Sequence, residues 1–68
     1  MEVNPISCRI SEHLDRRRAS KQWLADQVGI TKQQLNGYIT MRNMMGIVIA
    51  RKIARVLGVV IDDLYVWK

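Results

Sequence analysis

Residues 20–40, SKQWLADQVGITKQQLNGYIT, constrain the fold more than any other part of the chain. Ser20 suits the N-cap of a helix whose apolar positions are Leu24, Ala25 and Val28. Gly29 follows where a left-handed C′ residue would stop that helix at little steric cost. Thr31 can cap a second helix, with apolar positions at Leu35, Tyr38 and Ile39. Two short helices separated by a Gly-containing turn at residues 29–31 form a helix-turn-helix arrangement.

On a helical wheel the second helix divides cleanly. Leu35, Tyr38 and Ile39 share one arc, and Lys32, Gln33, Asn36, Gly37 and Thr40 share the opposite one. A short polar helix face is most often simply hydrated. This one carries no acid, whereas an ordinary solvated face mixes Glu with Lys. Amide side chains donate to and accept from an adenine edge at once, and Lys donates to guanine acceptors. The face therefore has the chemistry to read base edges from the major groove, the use to which helix-turn-helix units are put.

Ser20, Lys21, Leu24, Ala25, Val28, Gly29, Ile30, Leu35 and Tyr38 together resemble the Cro and phage-repressor type of helix-turn-helix domain, the Xre family. The likeness continues through Ala50, Ile53, Ala54, Leu57, Gly58, Val59 and Ile61-Asp62-Asp63-Leu64, so that it covers roughly residues 6–65. It implies an all-α, lambda-repressor-like bundle of about five short helices with the helix-turn-helix at its centre. Ala25 matches the short side chain that the family needs where the second helix crosses the first. Lys32 and Gln33 match its first base-reading positions, and Asn36 lies one turn later. Gly37 matches a position that carries a base-reading side chain in some relatives, a contact expected to be missing here. Lys21, Gln22, Thr31, Arg42 and Asn43 match positions near backbone phosphates. Helix N-termini favour such anions.

The chain also departs from the pattern. Many relatives pair an Arg of the first helix with a Glu near the end of the recognition helix, followed by Asn-Gly. Leu14, Ile39, Thr40 and Met41 stand at those positions, so an apolar contact is expected in place of the ion pair. The missing Gly leaves the exit from the recognition helix unspecified. Lys21 replaces the usual Gln, exchanging an orienting amide for a mobile charge.

Size and charge agree. Sixty-eight residues are read as one domain spanning 1–68. A core this small supplies roughly 3–5 kcal/mol of net stability and leaves little room for a catalytic cleft. No acid lies between Asp26 and Asp62, while Lys32, Arg42, Arg51, Lys52 and Arg55 fall inside that span; the net charge is +5. A basic surface attracts nucleic acid through phosphate contacts and counterion release, although many basic domains are simply soluble. Cys8 and His13 are each single. Neither a disulfide nor a metal site is expected, no cofactor or small-molecule ligand is indicated, and a reducing cytosol suits the chain. No signal or membrane-spanning run is read.

The flanks supply scaffold. Asn4-Pro5 reads as the start of a first helix carrying Ile6, Ile10, Leu14 and His13 and ending near Arg16-Arg17-Arg18, a run expected to remain solvated. Gly46 to Leu57 reads as a fourth, central helix. Val60 to Tyr65 reads as a short last helix, followed by an apolar tail. Met41, Met44 and Met45 are expected to fill gaps against the core. Relatives often dimerise through this end, which makes Tyr65, Val66 and Trp67 a candidate homodimer surface. The functional expectation is a non-enzymatic, sequence-specific double-stranded DNA-binding regulator, a small phage or mobile-element repressor. The alternative is a protein-binding module of the same fold, an antitoxin or antirepressor.

Overall fold

The computed structural model describes residues 5–67. In chain order these form strand β1 (Pro5–Cys8), helices α1 (Ile10–Arg17), α2 (Lys21–Val28), α3 (Lys32–Ile39) and α4 (Ile47–Leu57), a 3-10 turn (Ile61–Leu64) and strand β2 (Tyr65–Trp67). The hydroxyls begin the central helices as the sequence requires. Ser20 Oγ accepts from the Trp23 N–H at 3.0 Å, and Thr31 Oγ1 accepts from the Gln34 N–H at 3.0 Å. Three helices end on left-handed residues: Arg18 (φ 55°), Gly29 (φ 77°) and Gly58 (φ 71°). At the first, the Leu14 carbonyl accepts from the Ala19 N–H at 3.0 Å and the Asp15 carbonyl from the Arg18 N–H at 3.1 Å. This is the two-bond closure usually built on glycine.

The purely helical expectation is corrected at both ends. Pro5 and Ile6 belong to a strand, so α1 begins only at Ile10. The expected cap Asn4 lies outside the described residues. The tail is not loose either: β2 pairs antiparallel with β1, Cα partners being Pro5 with Trp67, Ser7 with Val66 and Cys8 with Tyr65. The Tyr-Val-Trp run has side chains suited to a pleated, half-buried surface. A 3-10 turn stands where a fifth helix was expected.

Two hydrogen bonds hold these ends against α1. The Arg9 N–H donates to the Leu64 carbonyl at 2.7 Å. His13, buried, lies with Nε2 2.8 Å from the Asp63 carbonyl, which can only accept, so Nε2 carries the proton. Trp67 Nε1 donates to the Asp62 carbonyl at 2.8 Å, and its ring meets Tyr65 edge-on at 5.7 Å. Burial raises the Tyr65 pKa, and burial likewise pushes the Cys8 thiol up.

The core takes one fully enclosed side chain from each helix and from the 3-10 turn: Ile10, Leu24, Leu35, Ile53 and Leu64. Each such burial is worth about 1.5–3 kcal/mol relative to exposure. Leu14 is in this core and Ile39 packs half-buried against it, so apolar packing stands where relatives keep an ion pair. Met41 and Met45 also pack against the core, whereas Met44 is exposed. Ile47, in the first turn of α4, is 70% exposed.

All three arginines of the run are exposed, as expected, and Arg17 also makes contacts across the fold. Arg17 Nη1 donates to the Val56 carbonyl in the last turn of α4 at 2.6 Å, and its guanidinium stands 5.8 Å from the Trp23 ring centroid. One cation thus ties α1 to the negative end of α4 and to α2.

Arg18 carries a side chain in a conformation that disfavours one by roughly 1–2 kcal/mol per residue. Arg18→Gly should therefore raise unfolding stability by about 1 kcal/mol. Urea denaturation would check this, a lower midpoint being the contrary result.

Candidate nucleic-acid interface

The presentation of α3 begins with Gly29. Its φ of 77° turns the chain, and its N–H and that of Ile30 donate to the Ala25 carbonyl at 2.9 and 3.0 Å. Ala25 is fully buried, which agrees with a short side chain where two helices pack closely. Leu35 and Tyr38 then turn into the core, leaving Lys32, Gln33, Gln34, Asn36 and Thr40 exposed. Lys32, Gln33 and Asn36 are therefore together on the solvent side of one helix. Gln34 has a structural bond as well: its Nε2 donates to the Tyr38 hydroxyl at 2.9 Å.

The flanking residues divide. Lys21 Nζ reaches Asn36 Oδ1 at 3.4 Å, so the start of α2 is linked to the outer face of α3. That contact uses one lone pair of the amide oxygen, and the amide N–H groups remain available as donors. Gln22 Nε2 donates instead to Asp26 Oδ1 at 2.9 Å. The Thr31 hydroxyl serves as the cap of α3. Arg42 and Asn43 are exposed in the loop after α3. Met41, at the exit, adopts φ 64°: the left-handed residue that relatives supply with glycine is here a methionine.

Gly37 requires a correction. On the wheel it faces outward, but in the structure it is buried beneath Asn43. A Cβ built at Gly37 would stand 2.8 Å from Asn43 Nδ2, and the Asn43 N–H donates to the Gly37 carbonyl at 3.1 Å. Wheel geometry treats a helix as isolated and so has no signal for a loop that folds over it.

No pocket is formed among the described residues. The ion pair found among them, Arg9 Nε to Glu12 Oε2 at 3.0 Å, is at the start of α1. Arg51, Lys52 and Arg55 are exposed on a separate helix, α4. Of the candidate dimer residues, Tyr65 is buried; Val66 and Trp67 are about 40% exposed, alongside Ile6 at 59% on the neighbouring strand. Among the described residues no helix is long and apolar enough to cross a membrane.

Comparison with known proteins agrees with this geometry. Residues 9–68 match the family model of the Cro/C1-type HTH DNA-binding domain. The chain is also 31% identical over 64 residues to the SPbeta prophage-derived uncharacterized HTH-type transcriptional regulator YotL of Bacillus subtilis (strain 168). That alignment covers 93% of this chain and 80% of the relative.

The turn is open to a direct test. Nothing lies within 4 Å of a Cβ built at Gly29, so substitution there meets backbone strain without a clash. Gly29→Ala should lower stability by about 1–2 kcal/mol. Thermal unfolding followed by circular dichroism would show the loss; an unchanged midpoint would mean that the turn tolerates a side chain.

Proposed function

The chain belongs to the Cro/C1-type helix-turn-helix family of DNA-binding domains, and on that basis we propose that it is a sequence-specific transcriptional regulator, a repressor of prophage or mobile-element type. The observation that carries the reading is the acid-free outer face of α3, where Lys32, Gln33 and Asn36 are exposed side by side while Leu35 and Tyr38 anchor the helix. Lys32 and Gln33 read base edges, and Asn36 adds a donor held in place by Lys21. Lys21, Gln22, Thr31, Arg42 and Asn43 lie near the sugar-phosphate backbone. The first turns of α2 and α3 contribute free backbone N–H groups there. Repression follows from occupancy of promoter DNA in a bacterial cytosol, with no catalytic step.

The regulator acts as a homodimer on a two-fold operator, whose half-sites would lie about one helical turn apart. The exposed Ile6, Val66 and Trp67 of the small sheet support that contact. The second reading, a protein-binding module of this fold, is favoured by exposed Met44, Ile47 and Val48 beside the loop.

One experiment addresses both levels. Duplexes bound at near-physiological salt are selected and sequenced, and the selected duplex is titrated with wild type, Lys32→Ala and Gln33→Ala. Each substitution should weaken binding by roughly 1–3 kcal/mol while circular dichroism remains unchanged. Sedimentation of the complex should give two chains per duplex. Unchanged affinity in both variants would remove the base-reading assignment, and one chain per duplex would remove the dimer. Biological activity retained without DNA binding would favour the protein-binding module.

A further inference from the structure

Helix α4 is the longest of the described helices, and the fold uses only one side of it. Ala50, Ile53, Ala54 and Leu57 are buried in the core. The other side carries Ile47, Arg51 and Arg55 on one i, i+4 row and Val48 and Lys52 on the next, all exposed. The start of this face is apolar, with Met44 also exposed three residues ahead of Ile47. The remainder is cationic. Arg51, Lys52 and Arg55 meet no carboxylate among the described residues, and α4 contains no acid of its own.

Folding accounts for little of this pattern. A cation in the last turn complements the helix dipole, which explains Arg55. Arg51 and Lys52 lie mid-helix, where that gain has faded. Exposed β-branched residues at 47 and 48 are poorer helix formers than alanine or lysine. Single exposed aliphatics are ordinary on a protein surface, but three within five residues, leading into unpaired cations, form a patch with two chemistries.

Those two chemistries select the occupant. A nucleic acid would satisfy the cations alone, and α4 has neither an amide to read a base edge nor an aromatic ring to stack on a base. A second copy of this chain would bring a net charge of +5 to a face that is already positive. A bilayer takes a continuous apolar helix face, and that of α4 is in the core. A protein segment with aliphatic side chains at one end and carboxylates along the other meets both requirements.

We propose that the outward face of α4 docks an acidic amphipathic helix of another protein. Its aliphatic side chains sit on Met44, Ile47 and Val48, and its carboxylates pair with Arg51, Lys52 and Arg55. The two rows extend about 12 Å along α4, so that two to three turns of a partner cover them. A contact of this size is transient. This surface is separate from the outer face of α3, and the assignment stands whether or not α3 reads DNA.

The probe is a synthetic peptide of about three helical turns, with Leu at one end and Glu along the face that meets the cations. It is titrated into the isotope-labelled chain, beside a scrambled peptide of the same composition and one with Lys in place of Glu. Amide shifts should centre on Met44, Ile47, Val48, Arg51, Lys52 and Arg55, with Lys32, Gln33 and Asn36 unmoved. Arg51→Glu and Ile47→Ser should each weaken binding about tenfold while circular dichroism stays unchanged. The Lys peptide should bind the Arg51→Glu, Lys52→Glu, Arg55→Glu triple variant, which the Glu peptide no longer recognises. Equal binding of the scrambled peptide would reduce the effect to bulk charge and overturn the proposal. Shifts centred on Lys21, Lys32 and Arg42, or an unmoved α4, would overturn it as well. So would a mixed-sequence duplex or anionic vesicles that shift the α4 face as strongly as the Glu peptide does, since the stripe would then belong to phosphate or to lipid.

Discussion

The left-handed turn at Gly29 is the constraint on which the proposed DNA-binding face depends. A helix ends there as the Gly29 and Ile30 N–H groups both close on the Ala25 carbonyl, and the next begins at once on the Thr31 hydroxyl. With the turn so short, α3 has little freedom in how it leaves α2. Its direction is then set by how closely the pair can approach, which Ala25 permits, and by the burial of Leu35 and Tyr38. The outward direction of Lys32, Gln33 and Asn36 follows from those inward ones. The polar face is thus a by-product of core packing, and binding chemistry can vary there with little effect on the fold.

The rest of the molecule braces this unit with few parts. Core side chains from every helix meet at its centre. Arg17 links three helices through one hydrogen bond and one aromatic contact. The ends of the chain close on each other through the two-stranded sheet and through the Arg9 and His13 bonds to the turn before β2. Two positions, Arg18 and Met41, carry side chains in left-handed conformations. At Met41 the strain is offset by packing against the core; the exposed Arg18 has no such compensation.

The central unit was legible in the sequence because its signals are local. Caps at Ser20 and Thr31, the glycine between them and the apolar spacing of each helix all act within a few residues. What was not legible is non-local. The strand at Pro5–Cys8 depends on a partner at the other end of the chain, and Asn-Pro followed by spaced isoleucines reads equally well as a helix start. Arg17 is exposed as expected, but its acceptor, the Val56 carbonyl, is distant in sequence and left no local signal. Gly37 was placed outward by periodicity, and only the path of the loop shows what covers it. Tyr65 was grouped with Val66 and Trp67 as surface, but of the three it alone is buried.

Net charge alone does not choose between two basic surfaces, the outer side of α3 and the Arg51, Lys52 and Arg55 stripe of α4. Of these two, only α3 sets a cation, Lys32, beside exposed amides, and the proposed reading rests on that. The most direct test is to titrate isotope-labelled protein with its selected duplex and follow the backbone amide resonances. The account predicts the largest shifts at Lys32, Gln33 and Asn36, with a second group at Lys21, Gln22, Arg42 and Asn43. Shifts centred on Arg51, Lys52 and Arg55, with α3 unmoved, would contradict it.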